Sequence, residues 1–425
     1  MLHTAKRRLY FVVAAYFAFW ARIVLRRWRP RIVVITGSSG KTTLLHLVEA
    51  QLGGQAAYSH HANSAIGIPF HILGLPPNVG SRLHWLSRFV LAPLCIFRRL
   101  PRSKLYIVEA DCDRPGEGAF IGRLLKPEVT LWVSVYRTHS ASFDKLVKNG
   151  VFKTHEEAIA YEFGNYVACT KKLVVANGDQ PDLVKQLDRV GRGVEVSKKS
   201  IAAVSDFQLT TQETIFTING KTLHLPGLHP KELGISLQLC NQLLDYLGVP
   251  LDTHYSQLQM PPGRSSVLAG YKQTVLIDST YNTGLDATIA LLNLFQQYPH
   301  AHKWLVIADI LEQGSLEREE HEKLATAILA VKPERVILLG RRTKTHTYPK
   351  LKAKLGSQVM ACITAGEVLA YLEQELKGGE AVLFKGALGL EGVIEALLAN
   401  PADASHLVRR EPIWVKRRQA WGLPK

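Results

Sequence analysis

Residues 31–43 read RIVVITGSSGKTT, and this stretch decides the fold of the amino-terminal part of the chain. It begins with a β-branched run and continues into a glycine turn. The residues from 42 onward, TTLLHLVEAQL, have the apolar spacing of a helix. A buried strand, a glycine loop and a helix in this order open a parallel α/β unit. We therefore expect an α/β fold built on a parallel sheet.

The glycine turn also has the chemistry of a phosphate site. Glycines let backbone N–H groups approach phosphate oxygens, the amino end of the helix adds positive potential, and a lysine there reaches the terminal phosphates. A strict G-x-x-x-x-G-K-T motif would need glycine where Ile35 stands, whereas the shorter form T-G-x-x-G-K-T-T is intact. The turn is therefore predicted to bind ATP with Mg²⁺ through Gly37, Ser38, Ser39, Gly40, Lys41, Thr42 and Thr43.

Length and turn signals predict more than one domain. The 425 residues are too many for one average domain. The sequence QMPPG at 259–263 separates a long helical stretch from a new series of strands and helices. We place the main boundary there. The prediction is a helix at 1–30, a P-loop central domain with a parallel sheet at 31–260, and a Rossmann-like domain at 261–425.

Short apolar runs predict the other strands. They lie at 105–109, 129–135, 173–176, 274–278, 304–309, 335–339 and 381–384. Residues 205–225 differ, because polar and apolar residues alternate there around an Asn219-Gly220 turn. This pattern predicts a small antiparallel hairpin.

Charge and cysteine content indicate which class of partner and which cellular setting to expect. Lys and Arg number 52 against 36 Asp and Glu, a formal net charge of +16 that favours anionic partners. The basic residues gather beside apolar segments and lack the aromatic interleaving of base-stacking surfaces, so no nucleic acid is expected. The five cysteines include no C-x-x-C pair, which argues against a disulfide framework or a zinc ribbon. A reducing, cytoplasmic setting fits best.

The segment 9–25, LYFVVAAYFAFWARIVL, is apolar, rich in aromatic residues and flanked by cations. Its unbroken apolar part, 9–21, is shorter than the roughly 20 residues that cross a bilayer, and no cleavage site of a signal peptide follows. We expect a helix that lies in the lipid interface at the inner face of an anionic membrane. The alternative is a helix packed on its own domain. The stretch 83–97 is either a second lipid contact or a buried helix.

Short motifs follow the phosphate loop in a fixed order. They are Asn63-x-x-Ile66-Gly67-x-Pro69, Glu109 followed by Arg114-Pro115-Gly116-Glu117, Thr138-His139-Ser140, Asn177-Gly178-Asp179, Pro262-Gly263-Arg264, Asp278-Ser279-Thr280-Tyr281-Asn282, Ala308-Asp309 to Gly314, and Lys385-Gly386. Together with T-G-x-x-G-K-T-T they resemble the Mur ligase family, in particular its branch that adds D-alanyl-D-alanine to the muramoyl tripeptide. The resemblance covers roughly residues 31 to 400.

This resemblance implies an ATP-dependent ligase that activates a carboxylate as an acyl phosphate and joins it to an amine. It implies Thr42 and Glu109 as ligands of one Mg²⁺ and His139 on a second, in keeping with the preference of hard cations for oxygen. Lys41 and Arg264 would neutralise the transferring phosphoryl group, Arg264 by reaching across from the third domain. The remaining expected contacts are Tyr281 and Asn282 for the nucleotide, and Asn63, Asp309 and Lys385 for the substrates.

The chain also departs from the family pattern. Tyr161 stands where the family often has a carbamylated lysine that bridges two metals, and residues 387–390 replace a serine and an arginine. The residues before the loop leave no room for the family's UDP-binding domain, which suggests an acceptor presented at the membrane, such as a lipid-linked wall precursor. The alternative is a nucleotide-binding scaffold or regulator that does not ligate. A P-loop kinase or transport ATPase is less well supported, because neither predicts the Arg264 and Asn282 segments.

Overall fold

The computed structural model of the protein describes residues 2–60, 62–76 and 82–423, with side chains described from residue 9 and, after the second gap, from residue 84. The Lys6, Arg7 and Arg8 side chains of the predicted basic flank lie outside the described part. The helices are α1 (Leu2–Trp28), α2 (Lys41–Leu52), α3 (Gly67–Leu73), α4 (Arg82–Leu94), α5 (Glu117–Leu125), α6 (Asp144–Lys148), α7 (His155–Ala168), α8 (Pro181–Gln186), α9 (Leu233–Leu247), α10 (Leu285–Gln297), α11 (Glu317–Val331), α12 (Tyr348–Leu355), α13 (Ala365–Glu375), α14 (Leu390–Leu397) and α15 (Pro412–Ala420).

The strands alternate with these helices along most of the chain. They are β1 (Arg31–Thr36), β2 (Ala56–Tyr58), β3 (Leu105–Ala110), β4 (Val129–Trp132), β5 (Leu173–Asn177), β6 (Glu195–Lys199), β7 (Val204–Leu209), β8 (Glu213–Ile218), β9 (Lys221–Pro226), β10 (Ser266–Ala269), β11 (Val275–Ser279), β12 (Lys303–Ala308), β13 (Arg335–Leu339), β14 (Val359–Cys362) and β15 (Ala381–Lys385).

The chain divides into two compact units. The first contains Met1–Ala203 and Gly234–Asp252, and the second contains Val204–Leu233 and Thr253–Lys425. In the first unit the sheet order is β2-β3-β1-β4-β5-β6, and each neighbouring pair is parallel. Parallel strands need crossover connections, which the intervening helices supply. The predicted α/β fold with a parallel sheet that starts from 31–36 is confirmed.

The second unit holds two sheets. The larger has the order β10-β11-β15-β12-β13-β14, in which β10 runs antiparallel to β11 and the other pairs are parallel. The smaller is the antiparallel set β7-β8-β9. Asn219 and Gly220 form the turn between β8 and β9, both with positive φ, as predicted. The hairpin is extended by β7 into three strands.

Helix α1 is part of the core of the first unit. Its residues Ala14, Phe17, Ala18, Ala21, Val24 and Trp28 are buried. They pack with α3, α4 and β3 in one cluster, where the Phe17 ring lies 4.6 Å from Phe70 and the Trp28 ring 5.0 Å from Tyr106. The stretch Leu9–Trp28 is also long and apolar enough to cross a membrane, judged by length and composition alone, with a mean hydropathy of 1.5.

Replacing Phe17 with alanine tests the structural role of α1. Phe17 is fully buried against the rings of Phe70, Trp85 and Phe89. We expect the free energy of unfolding to fall by about 3–5 kcal/mol, because the truncation leaves a cavity. Chemical denaturation measures this loss. Phe19→Ala is the matched control, since Phe19 is 54% exposed on the same helix. Equal effects of the two variants would contradict the packing of α1 in the core.

Candidate functional site

The loop between β1 and α2 is held by the segment that follows β4. Ser38 N donates to Ser134 O at 3.0 Å, and Ser39 N donates to Ser134 Oγ at 2.9 Å. Gly37 has φ 134°, and a Cβ there would lie 2.8 Å from the Ser134 backbone. Gly40 precedes the helix with φ 83°. Both glycines are therefore required by the local backbone, and the turn that they form leads directly into the amino end of α2, the end of a helix that favours anions.

Lys41 is buried at the start of α2 and makes contacts within the site. Its Nζ donates to Gly37 O at 2.6 Å and pairs with Asp111 Oδ2 at 2.7 Å. Burial by itself would lower the pKa of Lys41, but the carboxylates of Asp111 and Glu109 outweigh that effect and raise the pKa. The lysine is thus held as a cation beside the phosphate loop.

The carboxyl end of β3 supplies the acidic side of the site. Glu109 is the fifth residue of this strand, and its neighbours Asp111 and Asp113 follow directly. Because β3 is parallel to β1 and adjacent to it, the end of β3 lies beside the phosphate loop. Glu109 and Asp111 are both more than nine-tenths buried. Burial, and next the negative charge of Asp111, raise the pKa of Asp113.

Three side chains of the site have the spacing of metal ligands. One carboxylate oxygen each of Asp111 and Asp113 and one ring nitrogen of His139 lie within 4.8 Å of one another. His139 Nε2 is 3.3 Å from Asp113 Oδ1, and its backbone is left-handed with φ 54°. The two carboxylates supply the oxygen ligands that Mg²⁺ prefers, and the imidazole offers a nitrogen ligand to a divalent cation. His139 was expected at the metal from the sequence, whereas Asp111 and Asp113 were not.

The predicted substrate residue Asn63 lies at the same edge of the sheet. Its backbone oxygen accepts from Asp111 N at 2.8 Å. Nearby, the buried Glu117 accepts from Ala65 N at 2.9 Å and from Asp113 N at 3.1 Å. The segment 62–66 and the loop 111–117 are therefore tied together. Within the first unit the structure brings together Lys41, Glu109, His139 and Asn63.

Tyr161, which stands where the family often has the bridging lysine, lies on the surface of α7. Its ring is 44% exposed and stacks under the Arg189 guanidinium at 4.4 Å. Its neighbour Glu162 is buried, and Oε1 of Glu162 accepts from Gly116 N at 2.8 Å. The carboxylates of Asp111 and Asp113 are the acidic groups placed beside His139 instead.

The second unit gathers another set of the predicted residues. The Arg264 guanidinium lies 4.5 Å from the centre of the Tyr281 ring. Tyr281 N donates to Gly263 O at 3.3 Å, and Asn282 Oδ1 accepts from Thr283 N at 2.7 Å. The P-G-R turn and the loop after β11 are thus adjacent, as expected if both serve one site.

Lys385 ends β15 and is buried in the second unit. It is in register with Ser279 on β11 and with Ile307 on β12. Burial, and next the positive charge of Arg264, lower the pKa of Lys385 to about 7. On β11, burial raises the pKa of Asp278 to about 6, while hydrogen bonds from Thr280 oppose the rise. A lysine and an aspartate with displaced pKa values mark this edge as a candidate binding site.

Asp309 is buried after β12, and its carboxylate is used within the second unit. It accepts from Thr343 N at 2.8 Å and from Arg342 N at 3.2 Å. A Cβ on Gly340 would come within 2.3 Å of Asp309 Cγ, so this glycine makes room for the carboxylate. These contacts hold the turn after β13. A role of Asp309 in substrate binding stays a prediction.

Comparison with known proteins was made by family, sequence and structure. Residues 263–388 match the family model described as Mur ligase, glutamate ligase domain. The chain is 24% identical over 403 residues to the UDP-N-acetylmuramoyl-tripeptide–D-alanyl-D-alanine ligase of Escherichia coli (strain K12), covering 90% of this chain and 79% of the relative. The enzyme of the same name from Bacillus subtilis (strain 168) is 23% identical over 398 residues, covering 90% and 79%.

A solved structure shares the fold. The MurF ligase of Thermotoga maritima in complex with ADP aligns with a TM-score of 0.70 and 19% identity, covering 95% of this chain and 84% of that one. This neighbour shows the fold, and the domain match and the relatives confirm the class predicted from the sequence, an ATP-dependent ligase that joins a carboxylate to an amine. The resemblance to the Mur ligase family is confirmed as well, and the relatives in question are UDP-N-acetylmuramoyl-tripeptide–D-alanyl-D-alanine ligases.

Proposed function

We propose that the protein is an ATP-dependent ligase that forms an amide bond through an acyl phosphate in the synthesis of cell-wall precursors. The observation that carries this proposal is the position of Lys41, which lies in the phosphate loop beside a group of carboxylates and His139. The relatives are named as ligases that join D-alanyl-D-alanine to a UDP-N-acetylmuramoyl tripeptide. Their named reaction joins a carboxylate to an amine.

The proposed chemistry has two steps. A carboxylate oxygen of the acceptor attacks the γ-phosphorus of ATP, and ADP leaves. The amine then attacks the acyl carbon, phosphate leaves, and the amine loses a proton. Mg²⁺, when bound, would neutralise phosphate charge. In this proposal Gly37, Ser38, Ser39, Gly40, Thr42 and Thr43 hold the phosphates.

The cation-binding residues are assigned from the first unit. Thr42, Glu109 and His139 are proposed as Mg²⁺ ligands, and Asp111 and Asp113 join them because of their spacing. Lys41 stabilises charge that develops on the transferring phosphoryl group. Its pairing with Asp111 keeps it charged until a nucleotide offers phosphate oxygens in exchange.

The residues of the second unit complete the proposal. Arg264 is assigned to the phosphates, Tyr281 and Asn282 to the nucleotide, and Asn63, Asp309 and Lys385 to the substrates. Asn63 is the member of that last set in the first unit. The acceptor is proposed to be lipid-linked, and the protein to act at the inner face of an anionic membrane.

The test is phosphate release from ATP with Mg²⁺ in the presence of paired acceptors and amines. Acceptors are a muramoyl peptide carried on UDP and the same peptide carried on a lipid. Amines are single amino acids and D-alanyl-D-alanine. We expect phosphate release only when an acceptor and an amine are both present. The product should be heavier than the acceptor by the mass of the amine minus that of water. ATP turnover that no acceptor and amine pair stimulates would reject ligation.

The second candidate is a nucleotide-binding scaffold that does not ligate. It is favoured by Tyr161, which lies exposed against Arg189 and cannot carry a carbamate. Under this hypothesis the protein binds ATP tightly and turns over none of it with any pair. Binding and turnover measured on one preparation therefore separate the two functions.

A further inference from the structure

Two neighbouring helices of the first unit expose apolar side chains. On α1 these are Leu9, Val12 and Phe19, which lie opposite the buried face of the helix. The most exposed ones on α4 and the turn after it are Leu86, Val90, Leu94 and Phe97. Val12, Val90 and Phe97 are 66%, 63% and 79% exposed. We call these seven residues the apolar face. Large exposed apolar patches mark interaction sites.

The two helices form a single surface layer. Tyr16 on α1 donates its hydroxyl to Phe89 O on α4 at 2.7 Å. The rings of Phe17 and Phe89 are 5.0 Å apart, and Phe17 also contacts Trp85. Tyr16 lies one turn from Val12 and Phe19 on α1, so these contacts join α4 to α1 directly beside the exposed side chains. The exposed side chains of α1 and α4 therefore belong to one pair of packed helices.

Exposed cations border the apolar face at one end of α1. They are Arg22, Arg26, Arg27 and Arg29 on or just after α1, and Arg99, Arg102 and Lys104 after α4. The two sets adjoin, because Lys104 Nζ donates to Trp28 O at 2.7 Å and Arg31 N donates to Lys104 O at 2.7 Å. We call these seven residues the basic rim. Helical geometry puts Arg26 and Arg27 on the same side of α1 as Val12 and Phe19.

We propose that the apolar face and the basic rim dock on an anionic lipid bilayer, with α1 lying in the plane of the interface. Apolar side chains enter the acyl boundary, and the arginines meet lipid phosphates. In a symmetric dimer formed through this surface, the basic rims of the two copies would either lie close together and repel each other or remain without anionic partners. Charge complementarity therefore favours lipid as the occupant.

The inner face of α1 argues against a bilayer-spanning helix. Ala14, Phe17, Ala21 and Val24 are essentially inaccessible, and they share a cluster with Phe70 on α3. A spanning orientation would withdraw all of them from the core and expose their partners to water. The apolar side chains of Leu9–Trp28 instead lie on two sides of the helix. One side packs on the unit, and the other faces outward.

The docked helix would lie beside the candidate active site. Tyr10 on α1 donates its hydroxyl to Glu117 at 2.8 Å, and the Arg114 guanidinium lies 4.0 Å above the Tyr10 ring. Glu117 in turn accepts from the backbone of Asp113. Docking therefore places the loop 111–117 near the lipid surface. An acceptor on a lipid would meet that loop; this consequence rests on the proposed ligase activity, whereas docking itself does not.

The experiment is co-sedimentation of the full chain with vesicles, without nucleotide. One vesicle type is pure phosphatidylcholine, and the other also contains phosphatidylglycerol. We expect strong binding to the anionic vesicles only. Val90→Glu with Leu94→Glu should weaken this binding by at least about tenfold, because two inserted apolar groups become charged. Arg26→Gln with Arg27→Gln should weaken it by about 30-fold, since each cation near an anionic surface contributes about fivefold.

Val151→Glu is the matched control. Val151 is 60% exposed in the same unit but belongs to neither surface, so its binding should equal that of the unsubstituted chain. Each variant should keep its unfolding midpoint, because the changed side chains are exposed. High salt should release the bound protein, whereas a spanning helix would stay with the lipid. Equal binding to both vesicle types, or no binding together with a dimer that Val90→Glu and Leu94→Glu dissociate, would overturn the proposal.

The outcome is separate from that of the ligase assay. Vesicle binding is measured without ATP, and phosphate release can be measured with an acceptor carried on UDP. A protein that ligates in solution but ignores anionic vesicles would refute docking and the proposed membrane location, and would leave the proposed ligase activity standing. A protein that docks but never ligates would refute the proposed function alone.

Discussion

Replacing Lys41 with methionine is expected to lower ATP-dependent ligation by about a hundredfold to a thousandfold. Its ammonium group is the buried cation of the phosphate loop, and loss of one positioned charge-stabilising group commonly costs about a hundredfold to a thousandfold in rate. Phosphate release with saturating acceptor and amine measures the effect. Binding of a fluorescent ATP analogue should weaken in parallel.

The same substitution is also expected to destabilise the fold. Asp111 is buried and pairs with Lys41 at 2.7 Å, so Lys41→Met leaves a carboxylate without its cation. Breaking a buried pair from one side costs about 3–5 kcal/mol. A low activity could therefore reflect unfolding rather than lost catalysis.

The double variant Lys41→Met with Asp111→Asn separates the two effects. A neutral amide no longer needs a cation, so most of the lost unfolding free energy should return. Activity should stay near the level of the single variant. If the double variant regained both stability and ligation, the lysine would have no role in phosphoryl transfer, and the assignment of the loop would be wrong.

The sequence predicted the fold well where the local residue pattern alone determines the backbone conformation. The run RIVVIT is β1, the glycine turn is the loop between β1 and α2, and Asn219-Gly220 is a hairpin turn. These segments are decided by local rules: β-branched burial, glycine at positive φ, and paired turn residues. The buried runs at 335–339 and 381–384 likewise became β13 and most of β15.

The sequence did not predict the short edge strands. They are β2, β6, β10 and β14. All four lie at the edges of their sheets, and β6 is the mostly exposed EVSKK. Such strands exist because a neighbour offers hydrogen bonds, so their own sequence carries little signal. The strand at 129–135 was predicted too long, because residues from Val133 onward turn to hold the phosphate loop.

The sequence predicted only part of the candidate site, for a related reason. Lys41 belongs to a contiguous motif, but Asp111, Asp113 and His139 come together only through the parallel pairing of β3, β1 and β4. The signal that could have identified the two aspartates was their position just after a buried strand next to the loop strand. The two sides of α1 also needed the structure, because composition cannot tell a packed face from an exposed one.

Replacing Lys385 with methionine is expected to change how stability depends on pH. Lys385 is buried, and burial lowers its pKa from 10.5 to about 7 in the folded protein. In the unfolded chain the lysine keeps its ordinary pKa. Between pH 7 and 10.5 the unfolded state therefore binds the extra proton, and stability rises with pH over that window.

The expected size of this effect is about 5 kcal/mol over the full window, from a shift of about 3.5 pKa units. Sign and size are measured as the difference in unfolding free energy between wild type and Lys385→Met at pH 7 and at pH 9.5. The difference removes contributions from tyrosines and cysteines common to both proteins. At pH 7 the methionine variant should be the more stable, and its advantage should shrink as the pH rises.

Lys350→Met is the control, since it makes the same substitution at an exposed lysine on α12 of the same unit. A wild type and Lys385→Met that differ by a constant amount at both pH values would contradict a displaced pKa at Lys385. Retention of a costly buried lysine is best explained by use in the site, because a methionine would pack there more stably. Lys385→Met should therefore gain stability near neutral pH while losing ligation, and a variant that kept full ligation would remove Lys385 from the proposed substrate contacts.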